Sequence, residues 1–177
     1  YTRVPRSVAK TEKAKVITVR WIDIKKGDAE NPNYRSRLVA REIKKDGRPD
    51  LFAATPPLEA LKVRISMVTN GNRGEKLMVN DVSRAFFCAP AKRRVFVELP
   101  EEDRAEGKDE VGVLNFSMYG TRDAAQNWET AYGKFMESAG FQRGMASPCL
   151  FYNKAKDLRA VIYGDDFTLL GSEDALN

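Results

Sequence analysis

The chain has 177 residues, 42% of them hydrophobic and 31% charged, a mixture typical of one globular domain or one domain divided into lobes. It contains no histidine, which excludes a Ser-His-Asp triad, a Cys-His pair, a histidine general base and an imidazole zinc site. Its two cysteines, Cys88 and Cys149, are too few for a disulfide scaffold, and we expect two free thiols in a reducing compartment. Any acid, base or metal chemistry must therefore use carboxylates, Lys, Tyr or Cys.

Charge is unevenly distributed along the chain. Residues 1–50 contain 14 Lys and Arg against 7 Asp and Glu, whereas residues 51–177 contain 16 against 18. This asymmetry suits a basic lobe that holds a polyanion, joined to a part that does metal chemistry, although charge alone favours a solvated basic surface. No apolar run is long enough to span a membrane, the start has no signal-peptide pattern, and we expect the chain to be a piece of a longer protein.

The first half of the chain is predicted to contain a loose basic segment at 1–14, strands at 16–24 and 34–43, and a hairpin loop between them at 25–33. Three arginines share one face of the second strand by period-two alternation, namely Arg35, Arg37 and Arg41. A Thr-Pro-Pro sequence at 55–57 then predicts the start of an amphipathic helix, which Gly71 ends.

The second half is predicted to contain strands at 76–80, 95–99, 111–118 and 147–152, and a long helix at 123–139. On that helix Trp128 and Phe135 belong to one apolar stripe and are predicted core residues. Two apolar arms, 159–163 and 167–170, flank a Gly-Asp-Asp sequence and predict a hairpin. The order of elements predicts an α+β fold, with a second half compatible with a β-α-β-β split arrangement.

Acidic residues mark the ends of two predicted strands. Asp165 and Asp166 follow Gly164 at the hairpin tip, and Asp81 ends the strand at 76–80. Taken singly, the first pair is typical of a turn and Asp81 of a helix N-cap. Taken together, acids at neighbouring strand ends can converge on divalent cations, since Mg²⁺ binds one or two carboxylates with waters and phosphates. Two such ions need no histidine, which indicates phosphoryl or nucleotidyl transfer on a polyanion.

Two motifs resemble the catalytic motifs of reverse transcriptases: Asp81-Val82-Ser83-Arg84-Ala85-Phe86 and Tyr163-Gly164-Asp165-Asp166. Six further blocks, in matching order, narrow the resemblance to copia-type retrotransposons. They are Val16 to Trp21, Arg35 to Arg41, Asp50 to Pro57, Val95 to Pro100, Ser117 to Trp128 and Ala146 to Phe151. The resemblance covers the chain from about residue 16 onward. One departure is Gly164, where copia elements often have Val.

The resemblance implies an α+β fold with fingers and palm subdomains. The palm would be a ferredoxin-like or RRM-like β-α-β-β split sheet with helices on one face. The fingers would comprise about 1–75 and 91–118, and the palm about 76–90 and 119–177, with the thumb and RNase H domains absent.

The resemblance also implies the site. Asp81, Asp165 and Asp166 would be catalytic, with Asp81, Asp165 and the carbonyl of Val82 holding two Mg²⁺ ions, for which Mn²⁺ can substitute. The nucleotide-binding residues would be Arg35, Arg37, Arg41, Ala85, Phe86, Tyr119, Gly120 and Arg122. Tyr163 and Gly164 would lie near the primer end. Phe86 would be a steric gate that rejects a 2′-OH, whereas without the resemblance a core role would be the simpler interpretation. For the arginines, the alternative is a solvated strand face.

The function implied is RNA-directed DNA synthesis by a copia-like retrotransposon. The partners would be an RNA template, a DNA primer or hybrid, dNTPs and the rest of the Pol polyprotein, including its thumb, RNase H and integrase, with no membrane partner. The location would be intracellular, in cytoplasmic virus-like particles or the nucleus. An alternative is a catalytically silent or co-opted fragment that only binds RNA or DNA, and a third interpretation treats the acids as turns and caps alone.

Overall fold

A computed structural model of the chain describes residues 1–43, 53–70 and 74–177. Residues 50–52 of one motif block and the predicted helix end at Gly71 lie outside the described residues. The helices are α1 (Arg6–Thr11), α2 (Leu58–Asn70), α3 (Ala124–Ser138) and α4 (Glu173–Leu176). The strands are β1 (Thr2–Pro5), β2 (Val16–Ile17), β3 (Val19–Gly27), β4 (Pro32–Ala40), β5 (Lys76–Asp81), β6 (Phe96–Glu98), β7 (Glu110–Val113), β8 (Gln142–Arg143), β9 (Leu150–Asn153), β10 (Leu158–Tyr163) and β11 (Asp166–Gly171).

The chain divides into two compact units. The first unit comprises Tyr1–Leu51 and Phe86–Asn127, and the second comprises Phe52–Ala85 and Trp128–Asn177. Both units contain helices and sheets, so the prediction of an α+β fold is confirmed. No helix in the described ranges is long and apolar enough to cross a membrane.

The first unit contains a four-stranded sheet and a two-stranded ribbon. The sheet has the order β1-β7-β6-β2, in which β2 runs parallel to β6 and the other pairs are antiparallel. The ribbon pairs β3 with β4 from Val19–Ala40 to Gly27–Pro32, which confirms the predicted hairpin with a loop at 28–31 that is shorter than the predicted 25–33. The predicted strand at 16–24 is interrupted at Thr18, whose carbonyl accepts a hydrogen bond from the Arg41 amide.

The prediction that residues 1–14 are loose is wrong. β1 pairs with β7, and the Arg6 guanidinium donates two hydrogen bonds of 2.7 Å to the two carboxylate oxygens of Glu98. These hydrogen bonds hold the pKa of the Glu98 carboxyl below its usual range. α1 also buries Ala9 against Phe96 and Val111. The segment is therefore ordered by partners about a hundred residues away, which local sequence does not show.

The second unit is built on a five-stranded antiparallel sheet of order β5-β11-β10-β9-β8. β10 and β11 form the predicted apolar hairpin at its centre. On one face, Phe167 packs against Trp128 and Tyr132 of α3. On the other face, α2 and strand residues line a cavity of about 710 Å³ that includes Val79, Val161 and Thr168.

The helices of this unit therefore lie on both faces of the sheet. Phe167 contacts α3, whereas its neighbours Asp166 and Thr168 line the cavity beside α2, because successive strand residues point to opposite faces. α2 lies outside the range 76–90 and 119–177 for which the resemblance implies helices on one face, so that expectation stays a prediction.

The apolar stripe of α3 differs from the prediction by part of a turn. Trp128, Tyr132 and Met136 are buried, whereas the predicted core residue Phe135 is 66% exposed. The helix has two aromatic residues near the edge of this stripe, Tyr132 and Phe135. Tyr132 is the one that packs against Phe167 of the sheet and is buried. Both cysteines are free, Cys88 exposed and Cys149 buried.

Candidate active site

The three predicted catalytic carboxylates lie at one end of the sheet of the second unit. β5 ends at Asp81 and β11 begins at Asp166, and these two residues are direct cross-strand partners. Such partners have Cα atoms about 4.5 to 5.5 Å apart, with side chains on the same face. All three acids, Asp165 included, are exposed. Antiparallel register therefore brings together acids that are 84 and 85 positions apart in the sequence.

The turn between β10 and β11 places Asp165. Tyr163 pairs with Asp166, so Gly164 and Asp165 form a two-residue hairpin loop. Gly164 has φ of 63°, a left-handed conformation that favours glycine and suits the first central position of a type II′ turn. The Asp165 carbonyl accepts a 2.9 Å hydrogen bond from the Val82 amide. The turn is thereby joined to the residue that follows Asp81.

A side chain of α3 also contacts this turn. The indole Nε1–H of Trp128 donates a 2.7 Å hydrogen bond to the Gly164 carbonyl. Trp128 is 7% exposed, and its ring lies edge-on to Tyr132 and Phe167 at centroid distances of 5.6 and 6.3 Å. Sequence reasoning assigned Trp128 to the core and missed the hydrogen bond. The general need of a buried indole N–H for an acceptor was the available signal.

The donor chemistry at this end of the sheet fits a hard divalent cation. Asp81, Asp165 and the Val82 carbonyl offer only oxygen atoms, and Mg²⁺ takes one or two carboxylates together with waters and substrate phosphates. Within the described part of the chain, no three side chains of His, Cys, Asp or Glu form a group that could hold a metal ion.

Three of the predicted nucleotide-binding residues form a cluster in the first unit. The Phe86 and Tyr119 rings lie 4.7 Å apart between centroids, and the Arg37 guanidinium lies 5.4 Å from the Tyr119 ring centre. Phe87 packs edge-on against the same ring at 5.6 Å. Phe86 is half-buried. The cluster thus combines a cation with aromatic rings in tilted and edge-on contact, and guanidinium and aromatic groups are ones that bind phosphates and bases.

Gly120 allows the loop of this cluster to approach β4. Its φ is 85°, and a Cβ at this position would lie 1.9 Å from the Ala40 carbonyl oxygen. The Ala40 amide donates a 2.8 Å hydrogen bond to the Tyr119 carbonyl, and the Glu42 amide donates to the Gly120 carbonyl. Only glycine fits this close backbone approach.

A charge network holds the other side of the same loop. The Arg93 guanidinium contacts Glu42 and donates a 2.9 Å hydrogen bond to Asp123, and Glu42 also accepts from the Arg122 amide. Burial raises the pKa of the Asp123 carboxyl, but the hydrogen bond and charge of Arg93 outweigh it, so the pKa lies below its usual range. Sequence reasoning missed Arg93, Glu42 and Asp123, because residues so far apart in the chain carry no local signal of contact.

The remaining predicted residues have varied environments. Arg35 is exposed on β4 opposite Ile24, and Arg41 is exposed just beyond that strand. Arg122 is half-buried beside the charge network. In the second unit, Ala85 is buried at the start of a short 3-10 helix and Tyr163 is 60% exposed. The roles proposed for these residues stay predictions.

Comparison with known proteins agrees with these observations. The family model described as reverse transcriptase (RNA-dependent DNA polymerase) matches residues 3–176. The chain is 24% identical over 159 residues, 86% of its length, to the retrovirus-related Pol polyprotein from transposon TNT 1-94 of Nicotiana tabacum. It is 26% identical over 172 residues, 91% of its length, to that from transposon RE2 of Arabidopsis thaliana. In each case the match spans 12% of the relative's length.

Proposed function

Because the chain belongs to the reverse transcriptase (RNA-dependent DNA polymerase) family and is homologous to copia-type Pol polyproteins, we propose that it carries the site of RNA-directed DNA synthesis. The observation that carries the proposal is the pairing of Asp81 with Asp166, next to Asp165, at one end of the sheet. The substrates are an RNA template, a DNA primer and dNTPs. In the reaction, the primer 3′-OH attacks the α-phosphorus of the dNTP and a new phosphodiester bond forms. The bond between the α-phosphorus and the bridging oxygen breaks, and pyrophosphate leaves.

The proposed metal ligands are the carboxylates of Asp81 and Asp165 and the Val82 carbonyl, which would hold two Mg²⁺ or Mn²⁺ ions. When bound, such ions favour deprotonation of the primer hydroxyl and stabilise the charge that develops on the phosphate oxygens. Asp166 lies opposite Asp81 and adds negative charge to the same face of the sheet. Tyr163 is exposed at the end of the hairpin arm, a position suited to contact with the primer end.

Nucleotide binding is assigned to the cluster around Tyr119. Arg37, with Arg35 on the same face of β4 and Arg41 just beyond the strand, would hold the triphosphate, since a guanidinium binds phosphate oxygens in a bidentate manner. Phe86 would reject the ribose 2′-OH of an rNTP. Gly120 gives the loop its close approach to β4. Ala85 and Arg122 are the remaining proposed nucleotide-binding residues.

The proposed subdomains follow the same assignment. Fingers would comprise about 1–75 and 91–118, including the β3–β4 ribbon, and a palm about 76–90 and 119–177, including the acidic sheet. The rest of the Pol polyprotein, with thumb, RNase H and integrase, would supply the remaining functions in cytoplasmic virus-like particles or the nucleus.

The test is dTTP incorporation on an oligo(dT)-primed poly(rA) template with Mg²⁺ or Mn²⁺. We expect incorporation by the unsubstituted chain, its loss in Asp165→Asn, and its retention in Asp174→Asn, an exposed acid of α4 that serves as a matched control. Template binding should persist in Asp165→Asn, because the neutral side chain alters only the acidic end of the sheet. Equal incorporation by Asp165→Asn and the unsubstituted chain would refute the metal assignment.

A second candidate, a module that binds RNA or hybrid without polymerising, is favoured by the basic composition of residues 1–50. It predicts template binding that weakens with salt but no incorporation. The same assay on a longer stretch of the Pol polyprotein separates the two functions, since rescue by the added residues supports the polymerase and continued silence supports the binding module.

A further inference from the structure

The two carbonyl groups that flank the side chain of Asp165 along the main chain are held from different elements. The preceding carbonyl, that of Gly164, accepts the 2.7 Å hydrogen bond from the Trp128 indole of α3. The following carbonyl, that of Asp165 itself, accepts the 2.9 Å hydrogen bond from the Val82 amide after β5. Asp165 is therefore fixed at both of its peptide groups.

The first of these peptide groups has little else to fix it. Gly164 has no side chain, its φ is in the left-handed region, and an added Cβ would meet no atom within 4 Å. A glycine in an open hairpin tip has wide conformational freedom, and rotation of its peptide plane would move the Asp165 carboxylate. A single well-oriented hydrogen bond to this carbonyl is thus the restraint that the turn needs.

The donor of that hydrogen bond is rigid. The Trp128 side chain is almost fully buried, and Tyr132 and Phe167 contact its ring edge-on. Phe167 lies on β11, two residues after Asp165 in the sequence. The ring that contacts Trp128 therefore belongs to the strand that follows the turn. Packing therefore fixes the direction in which the indole N–H points.

We propose that Trp128 is a positioning residue for the catalytic carboxylate of Asp165, acting through its indole N–H on the Gly164 carbonyl. The proposal rests on the function proposed above. A purely structural role of Trp128 would depend on its ring, which supplies the packing, whereas the positioning role depends on its N–H. Removing the N–H alone should therefore loosen the turn and leave the fold intact.

The test compares Trp128→Phe, which removes the donor and keeps an aromatic ring, with Phe151→Leu. Phe151 is 2% exposed and contacts Tyr132 on the same side of the sheet, so its substitution disturbs the core without removing the hydrogen bond to the turn. Amide hydrogen exchange of Val82, whose N–H donates to the Asp165 carbonyl, reports the opening of the turn by NMR. Mn²⁺ titration followed by electron paramagnetic resonance reports the affinity of the acidic end of the sheet.

We expect Trp128→Phe to speed exchange of the Val82 amide, which donates to the Asp165 carbonyl, about tenfold relative to Phe151→Leu, and to weaken Mn²⁺ binding by about five- to tenfold. If Trp128→Phe does not fold, 3-benzothienylalanine at position 128 keeps the bicyclic ring and removes only the N–H. Exchange of the Val82 amide that is no faster than in Phe151→Leu would overturn the proposal.

The proposed function and this inference can fail separately. If the unsubstituted chain incorporates no dTTP, even when it is extended along the Pol polyprotein, the function fails. Amide exchange at Val82 then still decides whether Trp128 restrains the turn. If incorporation is observed, the inference further predicts a lower kcat in Trp128→Phe with little change in the KM for dTTP, since the nucleotide cluster is not altered.

Discussion

The two units hold their candidate functional groups by different physical means. In the first unit, the loop that carries Tyr119 is fixed by a partly buried charge network in which Arg93 joins Glu42 to Asp123. In the second unit, Asp81 and Asp166 are exposed and owe their positions to strand register. A charge network depends on every partner and on pH, whereas register depends on main-chain hydrogen bonds that a side-chain substitution leaves in place.

This difference predicts that the acids can be replaced without loss of the fold. Asp81→Asn should lower dTTP incorporation about 10³-fold, because it removes one charged group that we propose as a metal ligand. The free energy of unfolding should change by less than about 0.5 kcal/mol, as is usual for an exposed substitution. Incorporation assays and urea denaturation measure the two effects. A chain with Asp81→Asn that retains more than about a tenth of its incorporation would contradict the assignment, with Asp174→Asn as the matched control.

The opposite behaviour is expected for the charge network. Arg93→Met should lower the free energy of unfolding by about 2 to 3 kcal/mol, because it leaves the carboxylate of Asp123 buried without its cation. The neighbouring Arg94 is more exposed and pairs with Glu12, so Arg94→Met should lower it by less than about 1 kcal/mol. Urea denaturation measures both. Equal effects of the two substitutions would show that the network does not stabilise the first unit.

The aromatic cluster permits a test of specificity. Phe86→Val should raise the ratio of rNTP to dNTP incorporation about tenfold or more, because the smaller side chain leaves room for a 2′-OH. Phe87 contacts the same Tyr119 ring and is the matched control, so Phe87→Val should leave the ratio unchanged. Steady-state incorporation of rUTP and dTTP measures the ratio. An unaltered ratio in Phe86→Val would return Phe86 to a core role.

Substitutions of glycine can distinguish the effect of backbone strain on stability from an effect on metal binding at the hairpin tip. Gly164 and Gly107 both have left-handed φ values, 63° and 72°, and an added Cβ would meet no atom within 4 Å at either position. Alanine should therefore lower the free energy of unfolding by about 1 kcal/mol at each. Only Gly164→Ala should also weaken Mn²⁺ binding, because it twists the turn that carries Asp165. Equal Mn²⁺ affinity in the two variants would show that the turn tolerates this change.

The smallest expected effect is on pH dependence. The pKa of Asp123 is lower in the folded chain than its ordinary value of 3.8, so its contribution to stability is present above that pH and is lost as pH falls below it. Between about pH 5 and about pH 3, the unsubstituted chain should therefore lose more unfolding free energy than Asp123→Asn. Urea denaturation across this range tests the sign. A steeper loss in Asp123→Asn would contradict it.

Much of the second unit could be predicted from local pattern. The hairpin arms around Gly164, the strand that ends at Asp81 and the helix containing Trp128 all follow from hydrophobic periodicity and glycine placement. These elements are long or sharply bounded, and their local preferences agree with their final environment. The family resemblance then identified which acids belong together.

The N-terminal segment and the boundary of the α3 stripe could not be predicted in this way. Residues 1–14 have the polar composition of a loose segment, yet Arg6 binds Glu98 and β1 pairs with β7. Phe135 has the spacing of a core residue, yet Tyr132 takes the buried position. In both cases the deciding partners are remote in sequence, and local composition carries no information about them.

By itself, the sequence determined which chemistry is excluded and where most of the elements lie. The absence of histidine excluded histidine-based sites, the acids at strand ends predicted a carboxylate site, and period-two and helical patterns located most of the strands and the two long helices. Only the tertiary structure decided that Asp166 faces Asp81, that Arg93 links Glu42 to Asp123, and that the Trp128 indole holds the Gly164 carbonyl. The reason is that register and hydrogen-bond direction arise when distant elements pack, whereas hydrophobic periodicity is a property of the residues within one element.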